Sequence, residues 1–299
     1  MPQHPILQHT LSQAVVFTGV GLHSGERVRV KLNPAPVDHG IVFIRTDIAG
    51  RDSRVEVEPL AVAESQLHTR LVNAAGVQVS TIEHLMAAFA ALSVDNVTVE
   101  IDGQELPILD GSAAPFVKLI DQAGRRAQEA PRRHIEILKT VEVVDGDKRA
   151  ALMPAAGFEV AFAIEFASSA IGAQSIDLQV GEQSFRQELS AARTFGFLHE
   201  VEALRAKGLC LGGSLDNAVV IDGDTILNQG GLRFERDEFV RHKALDAIGD
   251  LYVLGAPLIG RFEGVRAGHA INNALVRALV AQPDAWRYRV VDQELAEAV

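Results

Sequence analysis

The segment from Val240 to Asp250 carries three side chains that could bind a metal ion. His242, Asp246 and Asp250 are spaced four residues apart, and a helix with that spacing places all three on one face. An imidazole and a carboxylate one turn apart can chelate a divalent cation with little change in the backbone. A solvated helix face with histidine–aspartate pairing would show the same spacing. The apolar residues between the three instead predict a mostly buried helix.

A second candidate pair, Glu83 and His84, lies far from this segment in sequence. Ser80 and Glu83 have the spacing of a capping box, so helix capping alone could explain the glutamate. Alternatively, His84 is a third metal ligand and Glu83 a base that takes a proton from water. A hydrolytic zinc site commonly uses three protein ligands and leaves one position for water. Spacing alone cannot show that the two segments meet.

Four other side chains could take part in chemistry, and each has a plainer explanation. His269 lies between small residues at a predicted helix start, where it could be a general acid or could simply pack. The Thr194 hydroxyl could face a polarised carbonyl or belong to an ordinary turn. The glycine-rich stretch around His23 lacks both the phosphate-loop ending and the dinucleotide-binding spacing. The single cysteine, Cys210, lies among leucines and glycines, which favours packing.

The chain repeats one order of elements, strands followed by helices. Predicted strands are Val28–Leu32, Ile41–Ile44 and Val97–Ile101, then Ile135–Val144 and Phe158–Phe166; predicted helices are His84–Leu92, Ala113–Ala123, Arg236–Leu254 and Ala267–Ala281. Residues 124–133 are polar, contain Pro131 and are predicted to be a linker. We therefore expect two related α+β domains, residues 1–130 and 131–299, with a small insert in each.

The stretch from Phe195 to Val220 interrupts this order in the second half. It contains an amphipathic piece from Leu198 to Leu204, then several glycines, then an apolar strand. This pattern predicts a small helix-to-strand unit. It is either an insertion at the protein surface or one wall of a site for an apolar ligand.

Composition excludes several classes of protein. The 299 residues are 47% hydrophobic and 22% charged, which is typical of a soluble globular chain. A formal net charge of −11 argues against a general nucleic-acid binder. Ten histidines against one cysteine mean that a metal site must use histidine and carboxylate, and a single cysteine fits a reducing compartment. No apolar run approaches the roughly 18 residues of a membrane helix, so we expect a cytoplasmic protein without a membrane anchor.

Taken in order, the motifs resemble those of the zinc-dependent UDP-3-O-acyl-N-acetylglucosamine deacetylases of Gram-negative lipid A biosynthesis. The resemblance extends from near residue 10 to about residue 281, and the ordered set is far more specific than any one motif. The motifs are Gly-Val-Gly-Leu-His-Ser-Gly at 19–25, Ser-Thr-Ile-Glu-His-Leu at 80–85, Asp-Gly-Ser-Ala-Ala-Pro-Phe at 110–116, Arg-Thr-Phe-Gly at 193–196, Gly-Leu-Cys-Leu-Gly-Gly at 208–213, Arg-Phe at 233–234, Arg-His-Lys-Ala-Leu-Asp-Ala-Ile-Gly-Asp at 241–250 and Gly-His-Ala-Ile-Asn-Asn at 268–273.

The resemblance implies a fold, an activity and a set of roles. The fold would be a layered sandwich with the helices of both domains between two sheets. The enzyme would be a monomer that removes acetate from an acylated UDP-N-acetylglucosamine. Its zinc ion would be bound by His84, His242 and Asp246.

The remaining roles are also implied position by position. Glu83 would be the general base and His269 the general acid, oriented by Asp250. Thr194 would stabilise the oxyanion, and Lys243 would meet a phosphate or hydroxyl of the substrate. The predicted substrate contacts, most of them along an acyl passage, are His23, Leu67, Phe195, Leu198, Val201, Leu204, Cys210 and Val220.

One position departs from the resemblance. His68 stands where family members carry a small residue or cysteine, so its effect on substrate preference is open. Two other functions are also compatible with the sequence. The chain could be a non-catalytic module that binds an acylated sugar nucleotide, although the complete set of catalytic residues argues against this. It could also be a zinc hydrolase of a different amide.

Overall fold

Two large β-sheets and the helices packed between them position the predicted site. The computed structural model describes residues 5–63 and 67–292. The strands are β1 Leu7–Leu11, β2 Val15–Val20, β3 Arg27–Pro34, β4 Ile41–Arg45, β5 Arg54–Glu56, β6 Val62–Ala63, β7 Arg70–Val72, β8 Gln78–Ser80, β9 Val97–Ile101, β10 Arg125–Pro131, β11 Arg133–Ile137, β12 Val141–Asp145, β13 Lys148–Met153, β14 Phe158–Glu165, β15 Ala173–Gln179, β16 Phe195–Phe197, β17 Val219–Asp222, β18 Thr225–Ile226, β19 Leu258–Val265 and β20 Trp286–Val290.

Six α-helices accompany these strands in the described residues. They are α1 Glu83–Ala91, α2 Ala114–Ala123, α3 Glu182–Ser184, α4 Leu198–Ala206, α5 Glu238–Leu251 and α6 His269–Val280. Short 3₁₀ turns cover Pro59–Ala61 and Tyr252–Leu254, and a π-helical turn covers Phe185–Leu189. None of the helices in these residues combines the length and apolar character that a membrane span requires.

The first sheet has the strand order β2-β3-β9-β4-β5, with β4 and β9 parallel and the other pairs antiparallel. Val28, Val30 and Leu32 of β3 are buried and the residues between them are more exposed, as the alternation in the sequence predicts. The apolar side of this sheet therefore faces the core, where α2 packs against β2.

The second sheet is built around β19, which pairs with β11, β13 and β14. Helix α5 packs on β14 and β15, and α6 packs on β12 and β13. Helix α1 packs against α5, so the helices of the two halves meet between the sheets. This arrangement confirms the predicted α+β layered sandwich.

Each half also carries a small three-stranded sheet. In the first half it is β6-β7-β8, and in the second it is β16-β17-β18 with α4 packed on it. The helix-to-strand unit predicted between Phe195 and Val220 is therefore confirmed. The division of the chain at residue 130 stays a prediction.

Two local interpretations of the sequence are wrong for physical reasons. The predicted linker forms β10, which pairs with β1; its polar side chains suit a two-stranded ribbon at the surface. The capping alternative fails because Ser80 ends β8 and does not cap α1, whose N-cap is Ile82.

Gly249 permits the close contact between α1 and α5. A Cβ atom at this position would lie 2.0 Å from the backbone oxygen of Glu83, which is far inside van der Waals contact. Both helices are regular there, so neither backbone can move away without disturbing its own hydrogen bonds. This contact sets how near the start of α1 comes to the last turn of α5.

We expect Gly249→Ala to lower the free energy of unfolding by about 1–3 kcal/mol, because a methyl group must be forced into a filled contact. Urea denaturation measures this change. Gly230→Ala is the matched control, since a Cβ at Gly230 meets nothing within 4 Å. Equal stability of the two variants would show that the helix contact is not tight.

Candidate metal centre

The three predicted metal ligands meet at the contact between α1 and α5. His84 comes from α1, His242 and Asp246 come from α5, and one ligand atom from each lies within 4.8 Å of the others. The Nε2 atoms of His84 and His242 are each 3.4 Å from Oδ1 of Asp246. All three side chains are buried. The alternative of a solvated polar helix face is therefore wrong.

The Oδ1 atom of Asp246 marks the point on which the group converges. It is buried and has no hydrogen-bond partner. An unsatisfied buried carboxylate oxygen is costly, and a bound cation would remove that cost. Burial alone would raise the pKa of Asp246, but the adjoining His242 and Lys243 hold this pKa well below its usual range. The donor set of two imidazoles and one carboxylate fits a divalent transition metal.

The backbone fixes the tautomer of His242. Its Nδ1 donates to the carbonyl oxygen of Ala192 at 3.1 Å, which leaves the Nε2 lone pair facing Asp246. Burial lowers the pKa of His242 to about 4, so the ring is neutral near pH 7. A neutral imidazole with its other nitrogen hydrogen-bonded to a carbonyl is the usual form of a histidine ligand.

Glu83 is the first residue of α1 and lies beside the ligands. Its Oε2 accepts the backbone N–H of Thr69 at 3.0 Å, and burial raises its pKa. The chain enters α1 through Thr81, whose φ of 57° is uncommon for a β-branched residue. Glu105 accepts the Thr81 hydroxyl at 3.1 Å and so holds this turn. This turn leads into the helix with the Glu83 side chain buried in the interior.

His269 starts α6 and faces the same point from the other side. Its Nδ1 donates to the carboxylate of Asp250, at 3.0 Å from Oδ2 and 3.1 Å from Oδ1. Its Nε2 lies 3.9 Å from Oε1 of Glu83 and 3.8 Å from Oδ2 of Asp246. Burial would lower the pKa of His269, but Asp250 and the other two carboxylates raise it to about 9. The imidazole is therefore protonated at neutral pH.

Lys243 lies beside the ligand group, and Thr194 lies at the wall of an adjoining cavity. The Lys243 ammonium lies 3.4 Å from Oδ2 of Asp246 and does not line the adjoining cavity. Thr194 lines that cavity, and its backbone N–H donates to the carbonyl oxygen of Gly111 at 2.8 Å. This hydrogen bond anchors the loop at Thr194, in the second half of the chain, to the first half.

A cavity of about 370 Å³ opens next to Thr194 and is walled by the second-half insert. The Phe195 ring connects it to the metal centre, since its centroid lies 6.3 Å from that of His242. All eight residues predicted to contact substrate line this one cavity, namely His23, Leu67, Phe195, Leu198, Val201, Leu204, Cys210 and Val220. The structure therefore brings together side chains that are more than 150 residues apart in the sequence.

A second cavity of about 410 Å³ lies at the far ends of α1 and α5. Ala90, Ile248 and Leu251 form part of its wall, and it contains none of the predicted site residues. Size alone therefore does not identify the site, because the predicted substrate contacts line the smaller of these two cavities.

His68 packs against His23, which lines the first cavity, with the two rings tilted by 40°. Their ring centroids are 4.9 Å apart, and the backbone N–H of His23 donates to Glu105 at 2.8 Å. Burial, with His23 nearby, lowers the pKa of His68 to about 4. The departure noted in the sequence therefore lies at the site, as a neutral ring packed on a predicted substrate contact.

Sequence reasoning missed a buried ion pair that holds the Thr194 loop. Arg193 Nε donates to Glu238 Oε1 at 2.8 Å, and Arg193 Nη2 donates to the carbonyl oxygen of Gly231 at 2.8 Å. Glu238 is fully buried and begins α5. The pair ties the loop to the helix that carries the ligands. Its only signal in the sequence is an arginine in a motif and a distant glutamate.

Comparison with known proteins matches almost the whole chain. A family model described as UDP-3-O-acyl N-acetylglycosamine deacetylase (LpxC) matches residues 8–281. Curated proteins named UDP-3-O-acyl-N-acetylglucosamine deacetylase are similar to it throughout. One from Phenylobacterium zucineum is 66% identical over 294 residues, covering 98% of this chain and 100% of the relative.

More distant relatives carry the same name. The protein from Chromobacterium violaceum is 51% identical over 292 residues, covering 97% of this chain and 95% of the relative. The one from Acidithiobacillus ferrooxidans is 50% identical over 285 residues, covering 95% and 93%. The region that the family model matches includes the candidate metal ligands and every residue that lines the cavity beside them.

Proposed function

The chain belongs to the UDP-3-O-acyl N-acetylglycosamine deacetylase family, and from that premise we propose that it is a zinc-dependent amidase of lipid A biosynthesis. Its reaction is hydrolysis of the acetamide of UDP-3-O-[(R)-3-hydroxyacyl]-N-acetylglucosamine to the free amine and acetate. One observation carries the proposal: a metal-binding group, a buried carboxylate and a protonated imidazole converge beside an apolar cavity.

His84, His242 and Asp246 would hold the metal ion. We infer zinc because two imidazoles and one carboxylate are a common ligand set of catalytic zinc. Bound there, zinc would supply Lewis acidity, which polarises a carbonyl and makes water a nucleophile near neutral pH. The unpaired Oδ1 of Asp246 supports a cation at this point.

Glu83 is the proposed base. Its Oε2 is held by the Thr69 backbone N–H, so Oε1 is the oxygen free to take a proton from the attacking water. Burial raises its pKa, which makes the carboxylate a better proton acceptor than an exposed glutamate. The Oε1 atom lies 3.9 Å from His269 Nε2, which is beyond hydrogen-bond distance, so neither group is used up by the other and both can contact the reacting groups from adjacent positions.

His269 is the proposed acid. An amine anion is a very poor leaving group, so the nitrogen must receive a proton as its bond to the acetyl carbon breaks. Nδ1 of His269 is occupied by Asp250, so Nε2 carries the proton that can be given. The Asp250 carboxylate also raises the pKa of this ring, which keeps the ring protonated before the reaction.

Thr194 and the cavity complete the proposed substrate site. A Thr194 hydroxyl at the cavity wall could donate to the carbonyl oxygen as negative charge develops there. Lys243, close to the ligands, could meet a phosphate or hydroxyl of the nucleotide sugar. The apolar wall provided by Leu198, Val201 and Leu204 suits an acyl chain.

A turnover assay with two substrates tests the proposal. The zinc-loaded enzyme should release acetate from the acylated UDP-N-acetylglucosamine, and the chelator-treated enzyme should not until zinc is restored. UDP-N-acetylglucosamine without the acyl chain should react far more slowly, because the cavity is then unused. Metal binding without turnover would favour a non-catalytic binding module. Turnover of other amides only would favour a different hydrolase.

A further inference from the structure

Thr69 contacts the proposed base, Glu83, and also contacts Asp250, the carboxylate that binds the proposed acid. Its backbone N–H donates to Oε2 of Glu83 at 3.0 Å, and its hydroxyl contacts Oδ1 of Asp250 at 2.5 Å. Thr69 and Asp250 are both fully buried. Because Asp250 orients His269, a single residue contacts the base directly and the acid through one carboxylate.

The direction of each hydrogen bond around the Thr69 hydroxyl follows from its neighbours. Asn273 Nδ2 donates to Thr69 Oγ1 at 3.2 Å, so the oxygen is already used as an acceptor. An ionised carboxylate only accepts, so the Thr69 hydrogen must point to Asp250. Asn272 Nδ2 donates to the other oxygen, Oδ2, at 2.9 Å. The carboxylate of Asp250 is thereby fixed at both oxygens.

The local fold holds Thr69 in this place. It lies immediately before β7, which pairs with β8, and β8 leads through one turn into α1 and Glu83. Its carbonyl oxygen accepts the backbone N–H of Ile82 at 3.4 Å. Thr69 therefore moves with the start of α1, while Asp250 belongs to α5. The hydroxyl connects the two.

We propose that Thr69 is a positioning residue that aligns Asp250, and through it His269, with Glu83. This inference rests on the proposed function, since it assigns the acid and base roles to His269 and Glu83. Thr69 does not line the substrate cavity, so its effect is on the chemical step and not on binding. Substitution of a residue that orients a catalytic group without contacting the substrate typically lowers activity by about 10- to 100-fold.

Two substitutions separate the hydroxyl from the shape of the side chain. Thr69→Val keeps the shape and removes the hydroxyl, so kcat should fall by about 10- to 100-fold while KM and zinc content stay unchanged. Thr69→Ser keeps the hydroxyl and loses the methyl group, so it should recover most of the lost rate. A role in packing alone predicts the reverse order. Thr69→Cys, with a weak donor of similar size, should be intermediate and serves if the valine variant does not fold.

A double-mutant cycle with Asp250→Ala tests the route of the effect. If Thr69 acts through Asp250, Thr69→Val should change kcat little once that carboxylate is gone. Equal losses of rate in both backgrounds would overturn the inference, as would wild-type kcat in Thr69→Val or loss of zinc from it. If the unsubstituted enzyme fails to release acetate, the proposed function itself has failed. If it turns over and Asp250→Ala is slow but Thr69→Val is not, only the role of Thr69 has failed.

Discussion

His269→Ala should lower kcat by about 10²- to 10⁴-fold while one zinc ion per chain remains bound. The protonated imidazole of His269 faces Glu83, and its replacement by alanine removes the proposed proton donor to the departing amine nitrogen. None of the three proposed metal ligands is altered. Steady-state kinetics with the acylated nucleotide sugar, combined with metal analysis of the purified variant, measures both parts.

The control for this substitution is His199→Ala. His199 is exposed on α4 and does not line the cavity, so its removal should leave kcat near the unsubstituted value. Zinc lost from the His269 variant would show that His269 supports the metal site, and its proposed role as acid would be wrong. Unchanged kcat with zinc in place would also contradict that role.

The sequence predicts the local part of the site well because helix geometry is regular. Four-residue spacing fixes one face of α5, so His242, Asp246 and Asp250 had to point the same way, and they do. The order of strands and helices likewise predicts the α+β class, whereas the layered sandwich is implied only by the resemblance. Joining α5 to α1 needed the resemblance, because no spacing within either segment specifies the contact at Gly249.

The side chains that sequence reasoning missed act through long-range contacts. Glu105 supports the turn before α1 and the backbone at His23, yet it lies in a stretch with no recognisable chemistry. Thr69 is one threonine among many until its partners on α5 and α6 are known. The predicted linker failed for a related reason. Polar composition cannot distinguish a flexible segment from β10, whose pairing partner β1 lies more than 100 residues away.

Asp246→Ala should weaken zinc binding by more than about 100-fold, because removal of a direct ligand exceeds the 10- to 100-fold cost of losing an outer partner. Activity should be lost with the metal and partly return at high zinc concentration. His84 and His242 remain as ligands, but they lack the anion that offsets the charge of the cation. Equilibrium dialysis against buffered zinc measures the affinity, and the same samples give the rate.

Thermal unfolding with and without zinc separates a ligand from an ordinary ion-pair partner. A metal that binds only the folded chain raises its midpoint, so the unsubstituted protein should shift upward on zinc addition and Asp246→Ala should not. Asp145→Ala, at an exposed position on β12, should shift like the unsubstituted protein. Without metal, two effects of the substitution oppose each other. Removal of Oδ1 relieves a buried oxygen that has no hydrogen-bond partner, but removal of Oδ2 breaks the contact with Lys243 that helps to hold the pKa of Asp246 low. The metal-free alanine variant should therefore unfold only moderately below the unsubstituted protein. A large loss of stability without metal, together with unchanged zinc affinity, would mean that Asp246 serves the fold and not the ion.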